Sequence, residues 1–186
     1  MAINKIAVIV GSLRKESFSR KMANTLIETA PGNLKMEIVE IGALQMYNED
    51  LDLNPPAEYT EFRNKIKRYD GLLFITPEYN RSVPAVLKNA LDVGSRPYGQ
   101  NVWNGKPGAV MSISIGGIGG FGANHHLRQT LVVLNIPTMP QPEAYIGNIA
   151  ELFDDTGKLI SESVRGYISK FMKAYEVWIG TNVKRH

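Results

Sequence analysis

Positions 11 to 20 read Gly11-Ser12-Leu13-Arg14-Lys15-Glu16-Ser17-Phe18-Ser19-Arg20, residue types that suit the holding of an anion. The apolar run Ile6-Ala7-Val8-Ile9-Val10 precedes them and an amphipathic helical pattern follows. A strand that ends in glycine and turns directly into a helix leaves the first helical N–H groups unpaired and converging, with the positive end of the helix dipole behind them. Ser12, Ser17 and Ser19 add hydroxyl donors, and Arg14 and Arg20 add guanidinium groups that fork onto phosphate oxygens. The same residues also read as an ordinary helix start, with Ser17 as the N-cap and the arginines in water.

A second stretch, Thr76-Pro77-Glu78-Tyr79-Asn80-Arg81-Ser82-Val83-Pro84, closes another apolar run. Its two prolines stiffen the backbone, so its N–H and C=O groups keep fixed directions beside Tyr79, an arrangement that suits the edge of a planar heterocycle. A rigid strand-to-helix turn is the plainer reading. The third stretch, Gly117-Ile118-Gly119-Gly120-Phe121-Gly122, has the G-x-G-x-x-G spacing of a dinucleotide site, with Glu143 about 20 residues on. Too few residues follow it for a full dinucleotide-binding half, and Pro137, Pro140 and Pro142 suit a second fingerprint strand badly. The competing expectation is a flexible loop whose lack of side chains lets backbone approach a bound ring. Arg96, Tyr98 and Trp103 are candidates to border the open face of such a ring.

The elements that must position these loops alternate strand and helix from end to end, the pattern of a parallel sheet covered on both faces. Strands are expected near Lys5–Val10, Met36–Ile41, Gly71–Thr76 and Ala109–Ile115, with a short edge strand within Thr138–Tyr145. Helices are expected through Phe18, Met22 and Leu26, stopping at Pro31-Gly32; from an Asn54 cap through Tyr59, Phe62, Ile66 and Tyr69; and from Pro84 through Leu87 and Leu91. Two more run through Leu127, Leu131 and Leu134, and from a Ser161 cap through Ile168, Phe171, Tyr175 and Trp178. This predicts an α/β, flavodoxin-like, doubly wound five-stranded parallel sheet of order 2-1-3-4-5, built as a single domain over 1–186. In such sheets ligands sit beyond the carboxyl ends of the strands where the order reverses, beside the first and third strands.

With 21 basic and 18 acidic residues the net charge is +3, spread along the chain, so nucleic acid is not an expected partner. The basic end Lys184-Arg185-His186 reads as a solvated tail. There is no cysteine, which removes disulfides, thiolate catalysis and cysteine–metal sites and favours a cytoplasmic setting. No apolar run approaches ~20 residues, and no membrane partner is expected. His125 and His126 are adjacent, about 100° apart on a helix, which does not make a metal pair; they read as surface or interface residues. Neither a G-x-S-x-G elbow nor a GK[ST] phosphate loop occurs.

Gly11-Ser12-Leu13-Arg14-x-x-Ser17-Phe18, followed by Thr76-Pro77-Glu78-Tyr79-Asn80-x-Ser82-x-Pro84-x-x-x-Lys88-Asn89-Ala90-Leu91-Asp92, resembles the NAD(P)H-dependent FMN reductase family, most of all its bacterial quinone and chromate reductase branch. The resemblance implies FMN as cofactor and NADPH or NADH as electron donor. It implies a phosphate held by Gly11, Ser12, Arg14, Ser17, Phe18, Ser19 and Arg20, and a ring lined by Pro77, Glu78, Tyr79 and Asn80, with Ser114, Gly116 and Gly117 beside it. Arg96 and Tyr98 become substrate-side candidates, and no side chain is expected to act as a general acid or base, because the flavin N5 carries the chemistry. Quinones, and by the same resemblance chromate or azo compounds, are the expected acceptors, and a homodimer or homotetramer the expected assembly. Glu16 and Ser19 depart from many relatives; Glu16 is expected to point away from the phosphate. Two alternatives stay open: a flavodoxin-type single-electron carrier, which the lack of an acidic cluster disfavours, and a Rossmann-type NAD site at Gly117–Gly122.

Overall fold

The computed structural model describes residues 2–183. Five strands, β1 (Asn4–Val10), β2 (Leu34–Val39), β3 (Gly71–Pro77), β4 (Gly108–Ile113) and β5 (Ala144–Ile146), form one sheet of order β2-β1-β3-β4-β5 with every pair parallel. The helices are α1 (Phe18–Glu28), α2 (Ala57–Lys67), α3 (Ala85–Ser95), α4 (Phe121–Val133) and α5 (Glu162–Asn182). The expected α/β class and strand order are what the chain adopts.

The central strands are apolar without alternation because both faces are covered. Alternate residues feed two cores. Ile6, Val8, Leu73, Ile75 and Met111 pack under α1 and α5 with Met22, Leu26, Phe171 and Tyr175. Ala7, Ile9, Leu72, Phe74 and Val110 pack under α2, α3 and α4 with Phe62, Ile66, Leu87, Leu91 and Leu127. The edge strand β5 is three residues long, as its proline-rich approach requires, and Thr138 adds only a single bridge to Gly108.

Several local expectations are corrected. Asn54 does not cap α2: the N-cap is Pro56, which brings no side-chain acceptor. Tyr69 is buried but lies past the end of that helix at Lys67. The 42–54 segment contains a 3-10 turn, Glu49–Leu51, capped by Asn48. Trp103 borders no open face: it is wholly buried, in edge contact with Phe62 and near Phe74, and its indole N–H donates to the Leu91 carbonyl. The Lys184–His186 tail lies outside the described residues.

Candidate active site

Gly11 follows β1 with its N–H on the Ile75 carbonyl at 2.9 Å, which brings the carboxyl ends of β1 and β3 together. A Cβ there would lie 3.1 Å from Leu87 Cδ2 and 3.2 Å from Thr76 Oγ1, so a larger residue would push the two strand ends apart. Beyond this junction lies a cleft of about 180 Å³. Ser12, Arg14, Ser17, Phe18 and Ser19 line one side, Pro77, Glu78 and Tyr79 a second, and Ile113, Ser114, Ile115 and Ile149 a third. Loops far apart in sequence thus meet at one end of the sheet, at the reversal in strand order.

The α1 wall has the character of an anion site. Ser17 is the N-cap, its Oγ accepting the Arg20 N–H at 3.2 Å, and both readings of this residue are compatible because the hydroxyl proton is still available. The N–H groups of Phe18 and Ser19, first in the helix, have no intrahelical acceptor. Ser12 and Ser19 are buried residues, yet their hydroxyls bond to nothing else among the described residues. No acidic residue stands in the first turn of α1. Glu16 turns outward, 71% exposed, its carboxylate 3.7 Å from Lys21. Arg14 is exposed and pairs with no carboxylate among the described residues. Arg20 is placed differently: its guanidinium is held by Glu40 at 2.6 and 2.8 Å and does not line the cleft.

The second wall is a tight turn. Tyr79 and Ser82 exchange both backbone hydrogen bonds, at 3.0 and 2.9 Å, around Asn80 and Arg81, whose φ values are 50° and 65°. Two successive left-handed residues make a type I′ turn, and an arginine there is held in a conformation it rarely adopts. Tyr79 lines the cleft; Asn80 and Arg81 do not.

The third wall explains the glycine-rich motif. Gly119 and Gly120 have φ of 67° and 75°, and Cβ atoms there would meet Tyr145 and Ser112 at 2.7 and 3.0 Å. The Ser112 hydroxyl donates to the Gly119 carbonyl at 2.8 Å. These glycines let the loop pack onto β4 and β5, so the expectation of a flexible loop is corrected for this half of it. A dinucleotide reading needs the N-terminus of α4 free for a pyrophosphate. It is occupied: Glu78 Oε2 accepts the Ala123 N–H at 3.0 Å, and Gly120, the N-cap, brings no side chain. Gly116 and Gly117 stand next to the cleft-lining Ser114 and Ile115 but are not among its lining residues, and the Gly116 N–H is bound by Ser114 Oγ at 3.1 Å.

Arg96 and Tyr98 are not brought to the cleft. Arg96 follows α3, whose 11 residues span roughly 16 Å and carry the chain away from the Pro77–Pro84 loop. Its guanidinium lies 3.3 Å from Glu49 and over the Tyr47 ring, while Tyr98 is 91% exposed. His125 and His126 diverge as expected, His125 Nε2 bonding to Tyr145 Oη and His126 Nδ1 to Ser82 Oγ, both at 3.0 Å. Sequence reading missed Ile113, Ile115 and Ile149. Ile149 had no local signal; the bond from its N–H to the Ser114 carbonyl, 3.1 Å, brings it in. A larger depression, about 640 Å³, opens among Lys5, Lys35, Glu37, Lys65 and Arg68. Its Lys65 and Glu37 side chains pair at 2.8 Å, and it lies apart from the carboxyl ends of β1 and β3 where the order reverses.

Comparison with known proteins matches a family described as NADPH-dependent FMN reductase to residues 4–151, which contain all three walls of the cleft. The chain belongs to the NADPH-dependent FMN reductase family. It is therefore an oxidoreductase that uses FMN with NAD(P)H as electron donor. Among the relatives of this FMN reductase, a quinone reductase of Pseudomonas putida is 55% identical over 181 residues, 97% of each chain. A 2-hydroxy-1,4-benzoquinone reductase of Burkholderia is 47% identical over 175 residues, 94% of this chain and 96% of that one. The solved flavoenzyme NAD(P)H:(acceptor) oxidoreductase FerB of Paracoccus denitrificans superposes with a TM-score of 0.92 at 39% identity, covering 98% of this chain and 100% of that one. A flavodoxin of Pseudomonas aeruginosa, at 16% identity and a TM-score of 0.55, shares the fold.

Proposed function

We propose that this FMN reductase passes electrons from NAD(P)H to quinones, with the FMN phosphate seated at the N-terminus of α1 and its ring against the Pro77–Asn80 turn. One observation carries the reading. Of the two helix N-termini that flank the cleft, that of α4 is filled by a carboxylate, whereas that of α1 offers free N–H groups, unpaired hydroxyls and Arg14, with no acid in its first turn. These donors open onto the cleft, where a bound anion can accept from them. Bound FMN supplies the electron and hydride chemistry. Ser12, Ser17, Ser19 and Arg14 bind the phosphate; Pro77, Tyr79 and Ile115 give the ring apolar contact and exclude water; Glu78, Asn80, Gly116 and Gly117 shape the backbone around it, and Gly11 keeps the strand ends close enough for one ligand to touch both. Arg20 and Arg96 serve structure, held by Glu40 and Glu49, and neither Arg96 nor Tyr98 lines the cleft.

Support for quinone acceptors comes from the two bacterial relatives named as quinone reductases. Chromate is a further candidate acceptor, the cytoplasm the proposed setting, and the whole chain the proposed single functional domain. Two experiments test the reading. Titration of apoprotein should show FMN binding well above riboflavin; equal affinities would remove the phosphate from α1. Purified holoprotein alone should oxidise NADPH or NADH with a benzoquinone as acceptor, whereas failure of both nucleotides to bleach the bound flavin would return the protein to the electron-carrier class.

A further inference from the structure

We propose that Glu78 is a positioning residue: its carboxylate fixes the Asn80–Arg81 turn, and with it the Pro77–Tyr79 backbone beside the flavin, by serving as the side-chain cap that α4 lacks. The inference rests on the placement of the ring against this turn.

The geometry is specific. Gly120 precedes α4 with no side chain, so the orphan donors of the first turn must find an acceptor elsewhere. Glu78 provides it from another loop, 45 residues away in sequence, through Oε2 and the Ala123 N–H at 3.0 Å. Its other oxygen, Oε1, lies 3.3 Å from the Arg81 guanidinium. The Glu78 side chain is only 11% exposed, a setting in which a carboxylate needs such partners. Gly122 permits the approach, since a Cβ there would lie 2.7 Å from the Arg81 carbonyl oxygen and 3.0 Å from Glu78 Oε2. One carboxylate thus ties the left-handed turn to the start of α4.

The consequence falls on donors rather than on the carboxylate itself. The turn's two internal hydrogen bonds use the N–H groups of Tyr79 and Ser82, while the N–H of Glu78, a residue that lines the cleft, has no acceptor among the described residues. Two successive non-glycine residues at positive φ persist only where surrounding contacts over-determine them. Releasing the Glu78 carboxylate lets the turn relax toward ordinary geometry and turns the backbone N–H of residue 78 away from the cleft.

Apoprotein variants are titrated with FMN and with riboflavin by flavin fluorescence, and the midpoint potential of the bound flavin is recorded. Glu78→Ala should weaken both flavins by a common factor of about tenfold, the scale of one lost charge-assisted hydrogen bond, leaving the FMN-to-riboflavin ratio unchanged. The potential should fall, because donors at the ring favour its electron-rich reduced form. Glu78→Gln keeps an acceptor at the same reach and should restore binding to within a few-fold and the potential to near that of the wild type. If Glu78→Ala does not fold, Glu78→Asp decides, since it keeps the charge but stops one methylene short of Ala123. Wild-type binding and potential in Glu78→Ala, or in Glu78→Asp where that variant decides, overturn the proposal, as does Glu78→Gln proving as weak as the alanine variant. Loss of the FMN preference over riboflavin in the wild type would instead overturn the seating of the phosphate, a separate result.

Discussion

Ser17 performs two tasks with one hydroxyl group. As an acceptor it caps α1 through the Arg20 N–H, and as a donor it faces the cleft. Ser17→Ala should therefore lower both the stability of the apoprotein, by about 1 kcal/mol for a lost cap, and the affinity for FMN. Arg14→Ala, at an exposed side chain with no partner, should lower affinity by about 1–3 kcal/mol and leave the apoprotein melting temperature unchanged. Thermal melts and flavin titrations on the two variants separate the tasks. Two tyrosines set a pH limit. Burial first, then Glu37, pushes the Tyr69 hydroxyl up to about 12, and burial first, then Glu143, does the same at Tyr145. In the unfolded chain both fall back to about 10, so the folded state holds more protons between pH 10 and 12. Their contribution to stability is complete below pH 10 and lost as pH rises through that window. Melting curves from pH 9 to 11.5 should show a steeper alkaline fall for the wild type than for Tyr69→Phe or Tyr145→Phe. At this scale residue type was a fair guide wherever a partner was local, as at Ser17. Arg20 escaped the reading because Glu40, which holds it, stands 20 residues away at the end of β2. Trp103 escaped because flanking polar residues conceal that its ring enters the core.

The loops owe their shapes to single side chains reaching across elements. Asn89 on α3 accepts the Tyr47 N–H at 2.7 Å and donates to the Leu44 and Gln45 carbonyls at 3.2 and 2.9 Å. Asn89→Ala leaves the Tyr47 N–H and the Leu44 carbonyl unpaired, while the Gln45 carbonyl keeps the Tyr59 hydroxyl, and amide exchange at residues 44–47 should accelerate while the β1 and β3 amides keep their protection; unchanged exchange there would refute it. A similar arm, Asn124, links α4 to Ser112 and the Ala144 carbonyl while accepting from Arg128. Such arms are why the glycine motif could be misread. Its spacing is the one a pyrophosphate needs, but the same spacing also lets a loop press against two strands, and the Glu78 carboxylate at the start of α4 separates the two uses. The cap of α2 was misplaced for a related reason: the Pro55-Pro56 pair fits the start of a helix without any side-chain acceptor.

Across the whole molecule, the strand order was legible because unalternating apolar runs separated by amphipathic helices admit few arrangements, and the paired loop motifs resembled those of one family that adopts this fold. Assembly is less directly written. Tyr79, Ile115, Ile118 and Phe121 are each about half exposed or more around the mouth of the cleft and the start of α4. Covering that ring of apolar surface calls for a second copy, and light scattering at micromolar concentration should give a dimer or a tetramer of dimers, whereas a fully active monomer would contradict it.

The division of the sheet into two cores also has a consequence for synthesis. The face formed by Ala7, Ile9, Leu72 and Phe74 is covered by α2, α3 and α4, all complete by residue 133. The opposite face, with Ile6, Val8, Leu73 and Met111, waits for α5, which begins at Glu162 and whose Tyr175 hydroxyl donates to the Leu72 carbonyl across 103 residues of chain. A nascent chain therefore has one side of its sheet covered by residue 133 while the other carries α1 alone until α5 arrives. Chains halted before Glu162 should be retained by chaperones or precipitate, because without α5 the residues that Phe171, Met172, Tyr175 and Ile179 cover stay in water.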